Sequence, residues 1–246
     1  MHTVSSSVSG SATGNIIYEG HDCILTLVSI DQETCKIQIE NNSSKDYAFS
    51  IHSFAANGIM TDFNLYEGYT DVPSEKKGLY NLTFSDFLED YKGSEPISNI
   101  SMLIWVYDNA VSYKDFETNL ITINIDPTVE SNTLLMGADV IEDSGLSFSA
   151  ISFTDDAITI AVINNNSYYV NFDLESTSVN GWALDTGISV YDVDLFPGCQ
   201  SIFEVSFEDL KEQAGLSEIT DFEFALDVSK ADSYDKELTG KITFAK

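Results

Sequence analysis

The chain of 246 residues contains no arginine: its 11 basic residues are all lysine, set against 40 acidic ones, for a formal charge of −29 and a pI near 4.1. A surface this negative repels phosphate backbones and anionic headgroups and lacks a basic stripe, so nucleic acid is excluded as an expected partner. Three histidines, His2, His21 and His52, are too few and too scattered for a Ser/His/Asp or Cys/His arrangement. There is no Gly-rich loop opening a helix, no Gly-x-Ser-x-Gly elbow and no Cys-x-x-Cys pair. Carboxylate pairs occur, but 40 acidic residues produce pairs by number alone. The expectation is therefore a protein that is not an enzyme. No stretch approaches the roughly 20 apolar residues that span a bilayer, so no transmembrane segment is expected.

What the chain does have is a copy of itself. Sliding it by 123 residues lays Val28–Asp62 over Ile151–Asp185 without a gap, and ten of the 35 positions are identical, among them Asn41/Asn164, Phe49/Phe172, Asn57/Asn180 and Gly58/Gly181. Each copy is about a hundred residues long, the size of an independent domain with its own core. The acidity is shared, with a balance of −12 up to Asp126 and −17 beyond it, so it belongs to the whole surface rather than to a tail. The expected organisation is a Ser/Gly-rich tether over 1–15, a first domain over 16–126, a linker over 127–137 and a second domain over 138–246. A tether of this kind often follows a cleaved signal or a lipid anchor. An extracellular or surface-anchored location is expected on that ground.

Apolar and polar residues alternate with period two, as in Cys35–Glu40 and Val170–Glu175, which marks strands with one buried face. Aligning the copies gives matched inward sets: Ile37, Ile39, Phe49 and Ile51 with Ile160, Val162, Phe172 and Leu174, and Tyr80, Leu82 and Phe84 with Phe203, Val205 and Phe207. The last strands are aligned with Ile121, Ile123 and Ile125 over Gly240, Ile242 and Phe244. Asn57-Gly58 and Asn180-Gly181 predict type I′ hairpins, whose two central residues need positive φ. One short helix per copy is expected, over Phe207–Ala214 before Gly215 and over Ser85–Tyr91 before Gly93. Three cysteines, Cys23, Cys35 and Cys199, do not make a disulfide framework. Pairing Ile30 with Cys35 sets Cys23 opposite Asn42, so free thiols are expected, with a Cys23–Cys35 bridge as the alternative.

These patterns predict an all-β protein of two tandem immunoglobulin-like antiparallel β-sandwich domains, each with one short helix. The Asn-Asn-Ser turn, the aromatic strand, Asn-Gly, the Val72–Gly78 turn and the Phe-Ser-Asp segment together resemble the Ig-like modules of uncharacterised secreted proteins and lipoproteins of Gram-positive, often gut-dwelling, bacteria. The resemblance spans nearly the whole chain twice and implies fold and export. Its motifs are turns, so it carries over no catalytic residue, and the second copy departs from it at Phe196–Cys199, where the lysine pair is missing.

Two groups stand out as candidate sites. Leu103, Trp105 and Tyr107 form an outward stripe on a strand whose counterpart carries Ala225, Asp227 and Ser229, and Tyr66 and Tyr69 lie in a nearby loop. Such aromatic residues suit sugar rings or peptide. Asp185, Asp192 and Asp194 crowd one loop of the second copy, and Asp227, Asp232, Asp235 and Glu237 another; these oxygen donors suit weak calcium binding, although neither has EF-hand spacing. No other cofactor is expected. The functional expectation is a tandem Ig-like spacer or interaction protein, with a protein or glycan partner at the cell surface; the alternative is a carbohydrate-binding module.

Overall fold

The computed structural model describes residues 6–8, 14–60, 69–84, 96–111, 113–125, 134–184, 194–230 and 236–246. They are almost entirely β and fall into two compact units, 1–132 and 133–246, each with two sheets.

In the first unit the strands are β1 (Ser6–Val8), β2 (Ile16–Gly20), β3 (Cys23–Ile30), β4 (Thr34–Asn41), β5 (Tyr47–Ala56), β6 (Ile59–Met60), β7 (Thr70–Val72), β8 (Lys76–Thr83), β9 (Asn99–Asp108), β10 (Tyr113–Glu117) and β11 (Ile121–Asn124). One sheet runs β2-β3-β4-β8; the other is built on β11-β9-β5, with β6 and β7 on β5 and β10 on β9, all antiparallel. Alternation does what the pattern predicts: Cys35, Ile37 and Ile39 of β4 are buried and Lys36 is exposed. Their side chains meet Phe49, Ile51, Ile104 and Val106 of the facing sheet in one core. Tyr80 crosses that core, its hydroxyl accepting the Ile51 N–H at 3.5 Å.

The second unit contains β12 (Val140–Asp143), β13 (Leu146–Phe153), β14 (Ala157–Asn164), β15 (Val170–Val179), β16 (Trp182–Leu184), β17 (Gln200–Ser206), helix α1 (Glu208–Ala214), β18 (Asp221–Lys230), β19 (Lys236–Leu238) and β20 (Ile242–Ala245). Its sheets, β12-β13-β14-β17 and β16-β15-β18-β19 with β20 on β18, repeat those of the first unit, except that among the described residues β1 and β7 have no strand counterpart. Phe49 and Phe172 are both 1% exposed. The match at Tyr80 and Phe203 is looser, since Tyr80 is buried and Phe203 half-buried, its ring 6.4 Å from that of Phe172.

Two irregularities are duplicated along with the strands, while the shifts at Ile16/Tyr18 and Lys114/Phe116 occur in the first unit alone among the described residues. The β3–β4 register slips between Leu27 and Ser29 and the β13–β14 register between Ala150 and Ser152; β5–β9 slips between Ile51 and Ser53 and β15–β18 between Leu174 and Ser176. Each is a bulge that turns one residue out of the ladder: Val28, Ile151, His52 and Glu175. The Asn-Gly turns are type I′ as predicted, with φ of 51° and 75° at Asn57 and Gly58, and 49° and 76° at Asn180 and Gly181.

Two buried asparagines pin the frame. The Asn41 amide nitrogen donates to the Lys45 and Val72 carbonyls at 2.8 and 2.9 Å, and its oxygen accepts from the Ser43 N–H at 3.0 Å. Asn164 donates to the Tyr168 and Leu195 carbonyls at 2.8 Å each and accepts from the Asn166 N–H at 2.9 Å. These bonds fasten an exposed turn and the chain entering the next sheet strand to one fully buried side chain.

Helix α1 forms where expected. Glu208 and Asp209 lie in its first turn, Lys211 in its last, and Gly215 closes it at φ 66°. The helix expected over Ser85–Tyr91 lies outside the described residues.

Three expectations are corrected. The bulge at Val28 shifts the pairing by one, so Cys23 stands opposite Asn41 rather than Asn42; all three cysteines are buried free thiols. Ile121 and Ile123 pair with Met102 and Ile100, while Ile242 and Phe244 pair with Phe224 and Phe222, so Ile121 corresponds to Ile242 and not to Gly240. Finally, Ser6–Val8, within the expected tether, form β1 and run parallel to β11.

Candidate aromatic site

The bulge in β5 sets His52 beside Trp105 of β9. The two rings stack with centroids 3.4 Å apart and an interplanar angle of 13°. Lys114, on β10, holds its Nζ 4.5 Å from the centre of the Trp105 ring and 3.0 Å from Glu117 Oε2. Tyr107 presents its edge at 6.2 Å from Trp105, and Tyr69 meets Tyr107 edge-on at 5.3 Å. Offset and edge-on contacts of this kind match ring quadrupoles, and a lysine over indole adds a cation–π attraction.

The structure brings together Trp105, Tyr107 and Tyr69 of the expected stripe and leaves out Leu103. Leu103 is 1% exposed, because β9 is buried on both faces at that end, opposite Ser53 and next to Ser101; it is not part of an open surface. Trp105 and Tyr107 are half-buried and Tyr69 is 59% exposed. The Trp105 Nε1 is buried without an acceptor. Leaving such a donor unsatisfied costs about 1–3 kcal/mol. Tyr66 lies outside the described residues. The stacking of His52 is not legible in the sequence, because it depends on an extra residue in β5 that no local pattern announces.

A second cluster went unseen for the same kind of reason. Lys45 Nζ lies 3.1 Å from Asp108 Oδ2 and 2.9 Å from Asp115 Oδ2, and the Tyr47 hydroxyl donates to Asp115 Oδ2 at 2.7 Å. His21 stacks on Phe116 at 4.1 Å, and Tyr47 meets Phe116 edge-on at 5.5 Å. The hydrogen bond from Lys45, then that from Tyr47, holds the Asp115 carboxyl below its ordinary range. Burial, seconded by the bond to Asp115, pushes the Tyr47 phenol up to about 12. The paired carboxylates, Asp115 first, push Lys45 up. Seventy residues separate Lys45 from Asp115, so only the fold brings them together. The cluster fastens the outer strand β10 to β5.

Of the aspartates considered for calcium, Asp185, Asp192, Asp232 and Asp235 lie outside the described residues. Asp194 and Asp227 are half-buried and Glu237 is exposed. Among the described residues no three His, Cys, Asp or Glu side chains group as metal ligands, and no helix is long and apolar enough to cross a membrane.

No protein-family model and no curated protein matches the chain. Loose structural likenesses exist. The YadV chaperone is 13% identical, with 91% of this chain and 100% of that one covered, at a TM-score of 0.29. A red sea bream transglutaminase is 12% identical over 92% of this chain and 31% of its own, at 0.25. The Pseudomonas aeruginosa CupB2 chaperone is 12% identical over 86% and 91%, at 0.21.

Proposed function

We propose that the chain is a tandem pair of immunoglobulin-like modules that acts as a non-enzymatic spacer or interaction protein outside the cell, at a surface, with a protein or glycan as partner. The observation that carries this reading is what the duplication preserves. Asn41 and Asn164, Asn57 and Asn180, and the paired bulges are structural devices, and they recur bond for bond. The side chains with chemical potential do not recur: His52 corresponds to Glu175, Trp105 to Asp227 and Lys45 to Tyr168. Selection on a reaction or on a repeated ligand would hold those positions; selection on a rigid frame holds the asparagines.

The carbohydrate-binding alternative rests on Trp105 and its neighbours. It is the weaker reading, because the Trp105 ring already has His52 at 3.4 Å and the Lys114 ammonium at 4.5 Å, where a sugar ring would need an open face. The deciding experiment is capture of surface proteins and a glycan array with the whole chain, run beside Trp105→Ala and Tyr69→Ala. Binding of a protein partner that survives both substitutions supports the interaction reading. Glycan binding abolished by Trp105→Ala in a folded variant supports the alternative, and turnover on a hydrolase panel abolished by one carboxylate substitution defeats both.

A further inference from the structure

Asn57-Gly58 and Asn180-Gly181 are one dipeptide in one turn, held by equivalent bonds. The Asn57 amide oxygen accepts from the Ser98 N–H and hydroxyl at 2.7 Å each and from the Asn99 N–H at 3.3 Å, and its nitrogen donates to the Pro96 carbonyl at 3.2 Å. The Asn180 oxygen accepts from the Thr220 N–H at 2.8 Å, the Thr220 hydroxyl at 3.1 Å and the Asp221 N–H at 3.2 Å, and its nitrogen donates to the Glu218 carbonyl at 2.9 Å. What differs is cover. Asn57 is 3% exposed, and Ile59 and Met60 beyond it are each 1% exposed. Asn180 is half-buried, Gly181 has open space where a side chain would stand, and Trp182, the counterpart of Ile59, is 60% exposed.

We propose that Asn180 is a site of spontaneous covalent modification, deamidation through a cyclic imide, and that Asn57 is its protected twin. The Gly181 backbone nitrogen bonds to Cγ of Asn180 while the Cγ–Nδ2 bond breaks, and Nδ2 leaves as ammonia carrying the glycine amide proton. Water then adds to one of the two imide carbonyls and opens the ring to aspartate or isoaspartate, so the step consumes one water and releases one ammonia. Glycine permits the attack because it places no side chain beside its nitrogen, which makes Asn-Gly chemically labile.

In the closed hairpin the four amide hydrogen bonds hold the Asn180 side chain toward the Glu218–Asp221 segment. Reaction therefore proceeds through transient opening, at a rate set by the population of the open form. β16 is a three-residue edge strand hydrogen-bonded to β15, and opening it brings little new apolar surface into water, since Trp182 is already exposed. Opening the first hairpin exposes Ile59 and Met60 as well. The aspartate product loses the donor to the Glu218 carbonyl and adds a negative charge; isoaspartate adds a backbone atom to a turn that has room for two residues.

The test is incubation of the whole chain at pH 8.5 and 37 °C, with peptide mapping and isoaspartate detection at both sites. Urea-unfolded chain serves as the reference for intrinsic rates. The expected result is conversion of Asn180 at least about tenfold faster than Asn57 in the folded protein, with the two within about twofold when unfolded. Asn180→Gln removes the signal at position 180 and Gly181→Ala slows it, and both leave that of Asn57. Equal folded rates, a faster Asn57, or no conversion at Asn180 over a period in which the unfolded chain reacts fully would overturn the proposal.

Discussion

Thr118 and Thr239 stand in the same place in the two units and close the same gap. The Thr118 hydroxyl accepts the Ile104 N–H at 3.1 Å while its own N–H donates to the Ile104 carbonyl at 2.9 Å; Thr239 does both with Leu226 at 2.9 Å. Ile104 lies between the part of β9 that pairs with β10 and the part that pairs with β11, and Leu226 lies likewise between β19 and β20 on β18. A side chain thus completes the ladder where one neighbour strand has ended and the next has not begun.

Replacing either threonine by valine keeps the shape and removes the acceptor, leaving a buried N–H unpaired. The expected loss is about 1–3 kcal/mol for Thr118→Val or Thr239→Val, and much less for the serine variants, which keep the hydroxyl. Urea unfolding followed in each variant checks this; equal losses for valine and serine would assign the effect to packing.

Asn41 and Asn164 carry more. Asn41→Ala leaves the Val72 and Lys45 carbonyls and the Ser43 N–H without this partner, and about 2–4 kcal/mol of stability goes with them. Asn164→Ala should cost nearly the same, since its three bonds to the backbone are the same and only the Ser43 hydroxyl and Cys23 thiol contacts of Asn41 are extra. A difference of several-fold between the two variants in urea unfolding would show that the units do not depend equally on this device.

The three thiols should be silent in the folded protein. Burial pushes Cys35 and Cys199 up to about 12 and Cys23 up to about 11, so at pH 8 the reactive thiolate is scarce as well as enclosed. A water-soluble disulfide reagent should titrate no thiol before urea is added and all three after.

Asp115 gives a signed pH dependence. Its folded pKa lies below the ordinary 3.8, first because of the Lys45 hydrogen bond, so its contribution is fully present above the unfolded value and disappears as the pH falls through the folded one. The pair is largely exposed, and the contribution is correspondingly small. Comparing the chain with Asp115→Asn isolates it from the general relief of acidic repulsion at low pH. The stability difference should be constant from pH 7 to about 5 and decline as the pH falls below the ordinary carboxylate value.

Calcium has its own test. Thermal unfolding in calcium and in magnesium at matched ionic strength should give equal shifts if the acidic surface is merely screened. A larger shift in calcium, removed by Asp192→Asn or Asp194→Asn, would identify a cation site by linkage.

Much of the frame was legible because its determinants are local. Asn57-Gly58 announces its turn by chemistry, Cys35–Glu40 its strand by alternation, and Gly215 the end of its helix. The internal repeat extended each reading to a second place. What escaped depends on residues that count differently from the ladder: one extra residue at Val28 moved Cys23 from Asn42 to Asn41, and one at His52 put an imidazole against Trp105. The stripe was read as open because periodicity gives a side chain's face, whereas Leu103 shows that a side chain on such a face can still be buried. Lys45 and Asp115 left no trace at all, since neither carries a signal until the fold makes them neighbours.

The paired bulges also say something about inheritance. A residue expelled from the ladder has no backbone position paired opposite it, so its identity can change without moving the register of the strands. Position 52 is histidine and position 175 glutamate, within strands that otherwise keep a shared register to the residue. In a duplicated frame the bulge is therefore where the two halves are free to diverge, and new binding character would arise there first, as a change of one letter without rebuilding the sheet.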